Sequence, residues 1–147
     1  ITATVLDLPE VVSEAKNQFP RCDIRFVATD MFRSPLPKDV ELFSLVRVLH
    51  DHDDEPVVSL LTRLHEALKP GGRLLIAEPM AGTTGAEAIG DTYFGFYLWA
   101  MGSGRPRTAD ELKGMCLAAG FSGIREFKTP IPALARVLVA EKAPKAP

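Results

Sequence analysis

The sequence is sparing in the features that would fix its class at a glance. Cysteine occurs only twice, at Cys22 and Cys116. The pair fits no metal-ligand or redox spacing, which favours a reducing compartment over a disulfide-stapled secreted scaffold. Lys and Arg form no run, and the net charge is −2 at pH 7. Phosphate backbones are bound by concentrated positive charge, so nucleic acid is not an expected partner. No apolar stretch reaches the roughly 20 residues that span a bilayer. No charged-then-apolar leader opens the chain, so a cytoplasmic protein without a transmembrane segment is expected. A dinucleotide loop is also missing: Gly82-Thr83-Thr84-Gly85 follows a strand but is not G-x-G-x-x-G. Repeats and low-complexity segments are absent.

What is there suits one folded domain. The chain has 147 residues, 46% apolar and 24% charged, enough to bury a core. Its first residues, Ile-Thr-Ala-Thr-Val-Leu, already read as a buried strand. A domain rarely opens mid-sheet, so the expectation is a fragment that lacks an N-terminal portion.

Residues 2–8 read as a strand and Pro9 as the opening of a helix, with Val11, Val12, Ala15 and Phe19 turned to the core. Residues 24–28 and 40–49 read as further strands, separated by the Ser34-Pro35-Leu36-Pro37 turn. The clearest helix is 55–68, where Val57, Leu60, Leu61, Leu64 and Leu68 make one stripe, stopped by Lys69-Pro70-Gly71-Gly72. A strand at 73–77, a loop at 81–85 and a helix at about 86–101 follow. Thr108 and Glu111 form a capping box for a helix ending at Gly120. Strands at 124–128 and 134–141 close the fold, and 143–147 reads as a frayed tail. Strands alternating with helices predict an α/β fold with a mostly parallel sheet. The last two strands, with no helix between them, predict a hairpin and one antiparallel strand near the edge.

Open α/β sheets bind ligands beyond the carboxyl ends of their strands. Asp7, Asp30, His50 and Glu78 fall at such ends, on one rim if the sheet is parallel. Asp7 suits a ribose diol, and equally a first-turn acid meeting the helix dipole. Asp30 with Met31 suits an adenine, although a plain loop acid before a turn is the commoner use. His50 can accept a proton near neutral pH, with Glu78 fixing its tautomer. The alternatives are a His capping an acidic turn, since Asp51, Asp53 and Asp54 follow, and a metal pair with His52 that lacks a third ligand of diagnostic spacing. His65 falls on the polar face of its helix and reads as solvated. Tyr93-Phe94-Gly95-Phe96-Tyr97-Leu98-Trp99 concentrates aromatics on one helix, which reads as half core and half wall of a long apolar pocket.

These stretches together resemble the plant-type, or family 2, O-methyltransferases. The carriers are Leu6-Asp7-Leu8-Pro9, Thr29-Asp30-Met31-Phe32, His50-Asp51-His52-Asp53-Asp54-Glu55, Glu66-Ala67-Leu68-Lys69-Pro70-Gly71-Gly72, Ile76-Ala77-Glu78 and Ala118-Ala119-Gly120-Phe121. The resemblance implies a Rossmann-like class I methyltransferase sheet whose cofactor is S-adenosyl-L-methionine. It puts the ribose on Asp7, the adenine on Asp30 and Met31, the general base on His50 and its orienting acid on Glu78. Within the family the likeness is strongest to a bacterial branch acting on hydroxylated carotenoids, carried by residues 44–54, 77–82 and 93–107. That branch implies a small hydrophobic substrate on Tyr93, Phe96, Tyr97 and Met101, a homodimeric full-length chain, and work at the membrane periphery where such a substrate resides.

Three departures stand out. The family's Lys four residues before the base is Val46 here, with Arg47 beside it. Its second flanking Glu aligns near Pro106, which cannot serve. The first strand, the glycine-rich cofactor loop and the N-terminal dimerisation domain are missing from these 147 residues, which alone are expected to bind cofactor poorly and to be inactive. Rival readings are a family member acting on a phenol or polyketide, and a non-catalytic partner module that keeps the fold.

Overall fold

The computed structural model describes residues 2–145. Ile1, Ala146 and Pro147, and with them part of the expected first strand and tail, lie outside the described residues. The chain forms two compact units, Ile1–Leu36 and Pro37–Pro147.

The first unit is a βαβ element: β1 (Ala3–Asp7), α1 (Pro9–Gln18) and β2 (Ile24–Ala28). The strands pair in parallel, from Ala3 opposite Ile24 to Asp7 opposite Ala28. A parallel pair needs a long crossover, and α1 supplies it. Pro9 sits at the start of α1, where its missing N–H costs no helical hydrogen bond. Of the four residues expected to face a core, only Val12 is buried, while Val11 and Phe19 are exposed. Two strands and one helix offer a single narrow inner face, too little to cover the whole stripe.

The second unit holds β3 (Val40–Val46), α2 (Asp54–Ala67), β4 (Leu68–Glu78), α3 (Phe94–Met101), α4 (Ala109–Ala118), β5 (Ser122–Phe127) and β6 (Arg136–Glu141). A π-helical turn, Ala88–Tyr93, leads into α3. The sheet order is β3-β4-β6-β5. β3 runs parallel to β4, and β6 runs antiparallel to both β4 and β5. Three strands therefore share one direction, and the expected reversed strand is β6, second from the edge.

The leucine stripe of α2 drives this packing. Val57, Leu60, Leu61 and Leu64 are buried, as are Leu74 and Ile76 of the central strand β4. Each such side chain contributes about 1.5–3 kcal/mol on leaving water. On α4, Thr108 Oγ accepts from the Glu111 N–H at 3.2 Å and Glu111 Oε2 accepts from the Thr108 N–H at 2.8 Å, the expected capping box.

Two boundaries move. The Lys69-Pro70-Gly71-Gly72 segment ends α2 but then runs within β4 instead of forming a free turn. It is held there by Gly71 N–H to Lys142 O at 3.1 Å and Lys142 N–H to Gly72 O at 2.9 Å. A Cβ on Gly72 would lie 2.8 Å from the Lys69 carbonyl, so only glycine fits. The second change is β3, which ends at Val46 and not at 49, leaving His50 in a 3-10 turn, Leu49–Asp51.

His65 is another correction. It is half-buried, and its ring meets Phe121 edge-on with centroids 5.0 Å apart. Gly120 passes so close that a Cβ there would lie 3.1 Å from the imidazole. Burial lowers the His65 pKa from 6.5, and nearby Lys142 adds to the effect while Glu66 opposes it. The folded chain thus binds fewer protons here than the unfolded chain. The stability this ring contributes is full above the unfolded pKa near 6.5 and is lost as pH falls towards the lower folded value. Urea midpoints measured from about pH 7.5 down to 5 should fall less steeply for His65→Gln than for the parent chain. Identical slopes would remove His65 from the acid response. Some slope should persist in the variant, because burial also lowers the His52 pKa.

Candidate active site

The site is organised by one buried carboxylate. Glu78 ends β4 with 2% exposure. Its Oε1 accepts the backbone N–H groups of Val48 at 2.8 Å and Leu49 at 2.7 Å. Its Oε2 accepts from Nδ1 of His50. The chain reaches this arrangement through Arg47, whose φ of +55° lies in the left-handed region and swings the backbone out of β3. A carboxylate that accepts from Nδ1 selects the tautomer in which Nε2 is the nitrogen left to take up a proton. Nε2 lies 3.3 Å from Oδ1 of Asp51. A proton taken up at Nε2 therefore meets a second carboxylate.

Aromatic packing closes one side of the imidazole. The Phe94 ring lies 5.6 Å from His50, centroid to centroid, at 61°. Tyr93 and Tyr97 pack edge-on against Phe94 at 5.3 and 6.4 Å, and the Arg47 guanidinium lies 5.3 Å from the centre of the same ring. Of the four proposed substrate residues, all are exposed at their own surfaces, and Phe96 lines an open hollow of about 430 Å³ with Asp91, Thr92, Gly95 and Trp99. His50 does not line that hollow. It borders a cavity of only about 10 Å³ with Leu49, Glu78, Pro79, Arg107 and Leu112. The link from α3 to His50 runs through Phe94.

Beyond the imidazole, Arg105 and Arg107 both donate to Asp54, at 2.7–3.1 Å. These bonds, Arg105 foremost, hold the Asp54 carboxyl below the usual carboxylate range. Among the described residues no group of three or more His, Cys, Asp or Glu is placed to hold a metal ion.

In the first unit, Asp7 and Asp30 lie at the same end of the β1–β2 pair, since Asp7 is opposite Ala28 and the Thr29 N–H donates to the Asp7 carbonyl at 2.8 Å. Asp7 is exposed and accepts the Leu8 N–H at 2.8 Å; it does not cap α1, whose N-cap is Leu8. Asp30 Oδ1 accepts the N–H groups of Phe32 at 2.8 Å and Arg33 at 3.3 Å, so this acid shapes its own turn. Met31, which follows it, is half-buried.

Three residues at the site escape a reading of the sequence. Asp51 is hidden among four acids between 51 and 55, Phe94 among the other aromatics, and Arg107 behind the capping box. The tight segment Gly102-Ser103-Gly104 before Arg107 is the only local signal that a chain must pass close to something there.

The family model for the O-methyltransferase domain matches residues 1–122, and the chain belongs to that family. Demethylspheroidene O-methyltransferase from Rhodobacter capsulatus is 43% identical over 140 residues, 95% of this chain and 35% of that protein. The protein of the same name from Cereibacter sphaeroides is 40% identical over 147 residues, 97% of this chain and 39% of that one. The crystal structure of human N-acetylserotonin methyltransferase in complex with SAM superposes with a TM-score of 0.84 at 30% identity, covering 97% of this chain and 41% of that one. The chain thus spans little more than a third of the curated bacterial relatives it matches.

Glu78→Gln tests the central carboxylate. Three donors converge on Glu78, and an amide offers one oxygen to meet them. If that oxygen keeps the two backbone donors, the amide N–H is turned onto Nδ1, and either two N–H groups face each other or His50 must take its other tautomer. A loss of about 1–3 kcal/mol is expected from urea unfolding. A change below about 0.5 kcal/mol would mean that the carboxylate is not what shapes this turn.

Proposed function

We propose that the complete protein is an S-adenosyl-L-methionine-dependent O-methyltransferase acting on a hydroxylated carotenoid of the demethylspheroidene or hydroxyneurosporene type. The observation that carries the reaction class is the buried His50–Glu78 pair, in which Nδ1 faces the carboxylate and Nε2 is turned away from it. The names of the two bacterial relatives and the exposed aromatic face of α3 support the acceptor.

The donor set fits the cofactor. Asp7 presents an exposed carboxylate at a strand end, suited to a ribose diol, and Asp30 with Met31 lies at the same end of the β1–β2 pair, suited to adenine. S-adenosyl-L-methionine, when bound, would supply an electrophilic methyl group on a sulfonium, whose C–S bond breaks as the acceptor oxygen attacks and whose bonding electrons stay on sulfur as a neutral thioether. His50 takes the acceptor hydroxyl proton at Nε2 as the new C–O bond forms. A tertiary alcohol is too weak an acid to ionise beforehand, so removal of the proton and attack must coincide. Glu78 holds the ring and stabilises the imidazolium. The aromatic face with Tyr93, Phe96, Tyr97 and Met101 takes the polyene, whose burial contributes roughly 25 cal/mol per Å². The same reading places these 147 residues in the C-terminal catalytic part of a longer, homodimeric, cytoplasmic chain. The first strand, the glycine-rich loop and the N-terminal dimerisation domain are supplied by that chain, and this stretch alone is inactive. Among the described residues no helix is long and apolar enough to cross a membrane.

A phenolic acceptor is the second reading, favoured by the similarity to a methyltransferase named for N-acetylserotonin. In the full-length enzyme, His50→Ala should lower turnover about 10²–10⁴-fold while cofactor affinity by calorimetry stays within a few-fold. A collapse of cofactor binding with the turnover would put His50 in the wrong role. Tyr97→Ala separates the two acceptors. It should raise KM for a carotenoid alcohol about tenfold, the effect of one well-buried aromatic contact, and leave a small phenol nearly unaffected. Equal effects on both would remove the carotenoid assignment and leave the reaction class standing.

A further inference from the structure

The turn that carries His50 is held from two sides, and only one side is Glu78. Glu78 takes the N–H groups that enter the turn. The carbonyls on the other side meet residues 103–107. Ser103 Oγ donates to the Asp51 carbonyl at 3.2 Å. Gly104, at φ +81°, passes so close that a Cβ there would lie 2.2 Å from the His50 carbonyl oxygen, and its N–H donates to Asp53 at 2.9 Å. The Arg107 guanidinium then donates to the Leu49 carbonyl at 2.8 Å through Nη1 and to the His52 carbonyl at 2.7 Å through Nη2. Nη2 and Nε also reach Asp54 at 2.7 and 2.9 Å.

Arg107 is 3% exposed. A buried guanidinium is costly unless its donors are met, and here they are met by two backbone carbonyls and one carboxylate around a single turn. An ion pair alone would need only Asp54, which is half exposed and already has Arg105. What Arg107 adds is the planar fork spanning Leu49 and His52, the residues on either side of the His50-Asp51 peptide. Lysine has no such fork. A base contributes fully only when its nitrogen is within hydrogen-bond reach of the proton it takes, and small displacements cost rate steeply.

We propose that Arg107 is a positioning residue for His50. It clamps the backbone carbonyls on both flanks of the imidazole and so sets the direction of Nε2, without touching the methyl acceptor. The clamp is the counterpart of Glu78: one fixes the ring through its N–H donors, the other fixes the backbone from which the ring springs. This inference rests on the reading of His50 as the general base.

The test uses the full-length enzyme with Arg107→Lys, Arg107→Met and His50→Ala. Arg107→Lys keeps a charge for Asp54 and loses the fork. The expected result for both Arg107 variants is a fall in kcat of at least tenfold, with KM for the acceptor and cofactor affinity within threefold of the parent, in a chain that still folds but melts at a lower temperature because buried carbonyls have lost their donors. Added guanidinium ion should restore part of the kcat of Arg107→Met and none of that of His50→Ala. A folded Arg107→Lys with kcat within threefold of the parent overturns the inference. So does a chain that fails to fold with either substitution, since Arg107 would then serve the fold alone, and so does the absence of guanidinium rescue. If His50→Ala itself keeps full turnover, the reading of His50 as base has failed. If His50→Ala is crippled and the Arg107 variants are not, only the clamp has failed.

Discussion

A carboxylate with almost no contact with water must be satisfied on every side, and Glu78 meets that constraint by gathering its partners from a single turn. Two backbone N–H groups and one imidazole converge on it. The rest of the second unit makes this possible. The leucine stripe of α2 and the buried strand β4 exclude water from the end of the sheet, and the left-handed backbone at Arg47 delivers residues 48–50 to the carboxylate. Were Glu78 solvated, the same three bonds would be worth much less and the turn would be free to reorient.

The path of the chain after β4 answers to the same centre. The Ala81 N–H donates to the Arg107 carbonyl at 3.0 Å, and Ala81 bridges to Thr108, so the segment leaving the carboxylate is tied to the segment that returns beside it. The capping box of α4 fixes the point from which Arg107 departs. Between these ties lie the π-helical turn and α3, which carry the aromatic surface. The His50–Glu78 pair is thus rooted in the sheet, and the aromatic surface of α3 is an excursion between two anchored ends.

Much of this was legible in the sequence where one physical rule dominates. The 3.6-residue stripe of α2 and the capping box at Thr108 each followed from a local pattern, and the reversed strand followed from the missing helix between β5 and β6. His50 and Glu78 were readable as a pair because strand ends in an α/β sheet converge. The sequence could not show that β3 stops three residues early, because Val46-Arg47-Val48-Leu49 is as apolar as a strand and nothing local announces a positive φ at an arginine. Nor could it show that His65 packs beneath Gly120, a contact across 55 residues. Arg107 was opaque for a similar reason: its partners are backbone carbonyls, which every residue has and no motif encodes.

The exposed aromatic face of α3 has a practical side. The chain has one tryptophan, Trp99, and it lies 81% exposed in the wall of the open hollow, beside Phe96. An indole in water emits at longer wavelength than one in an apolar contact. The protein therefore carries its own optical reporter on the face that the substrate reading concerns. Within these 147 residues, any molecule that settles there, whether polyene, phenol or another part of the polypeptide, shifts or quenches the signal of a single indole, and binding to this surface can be followed without a label.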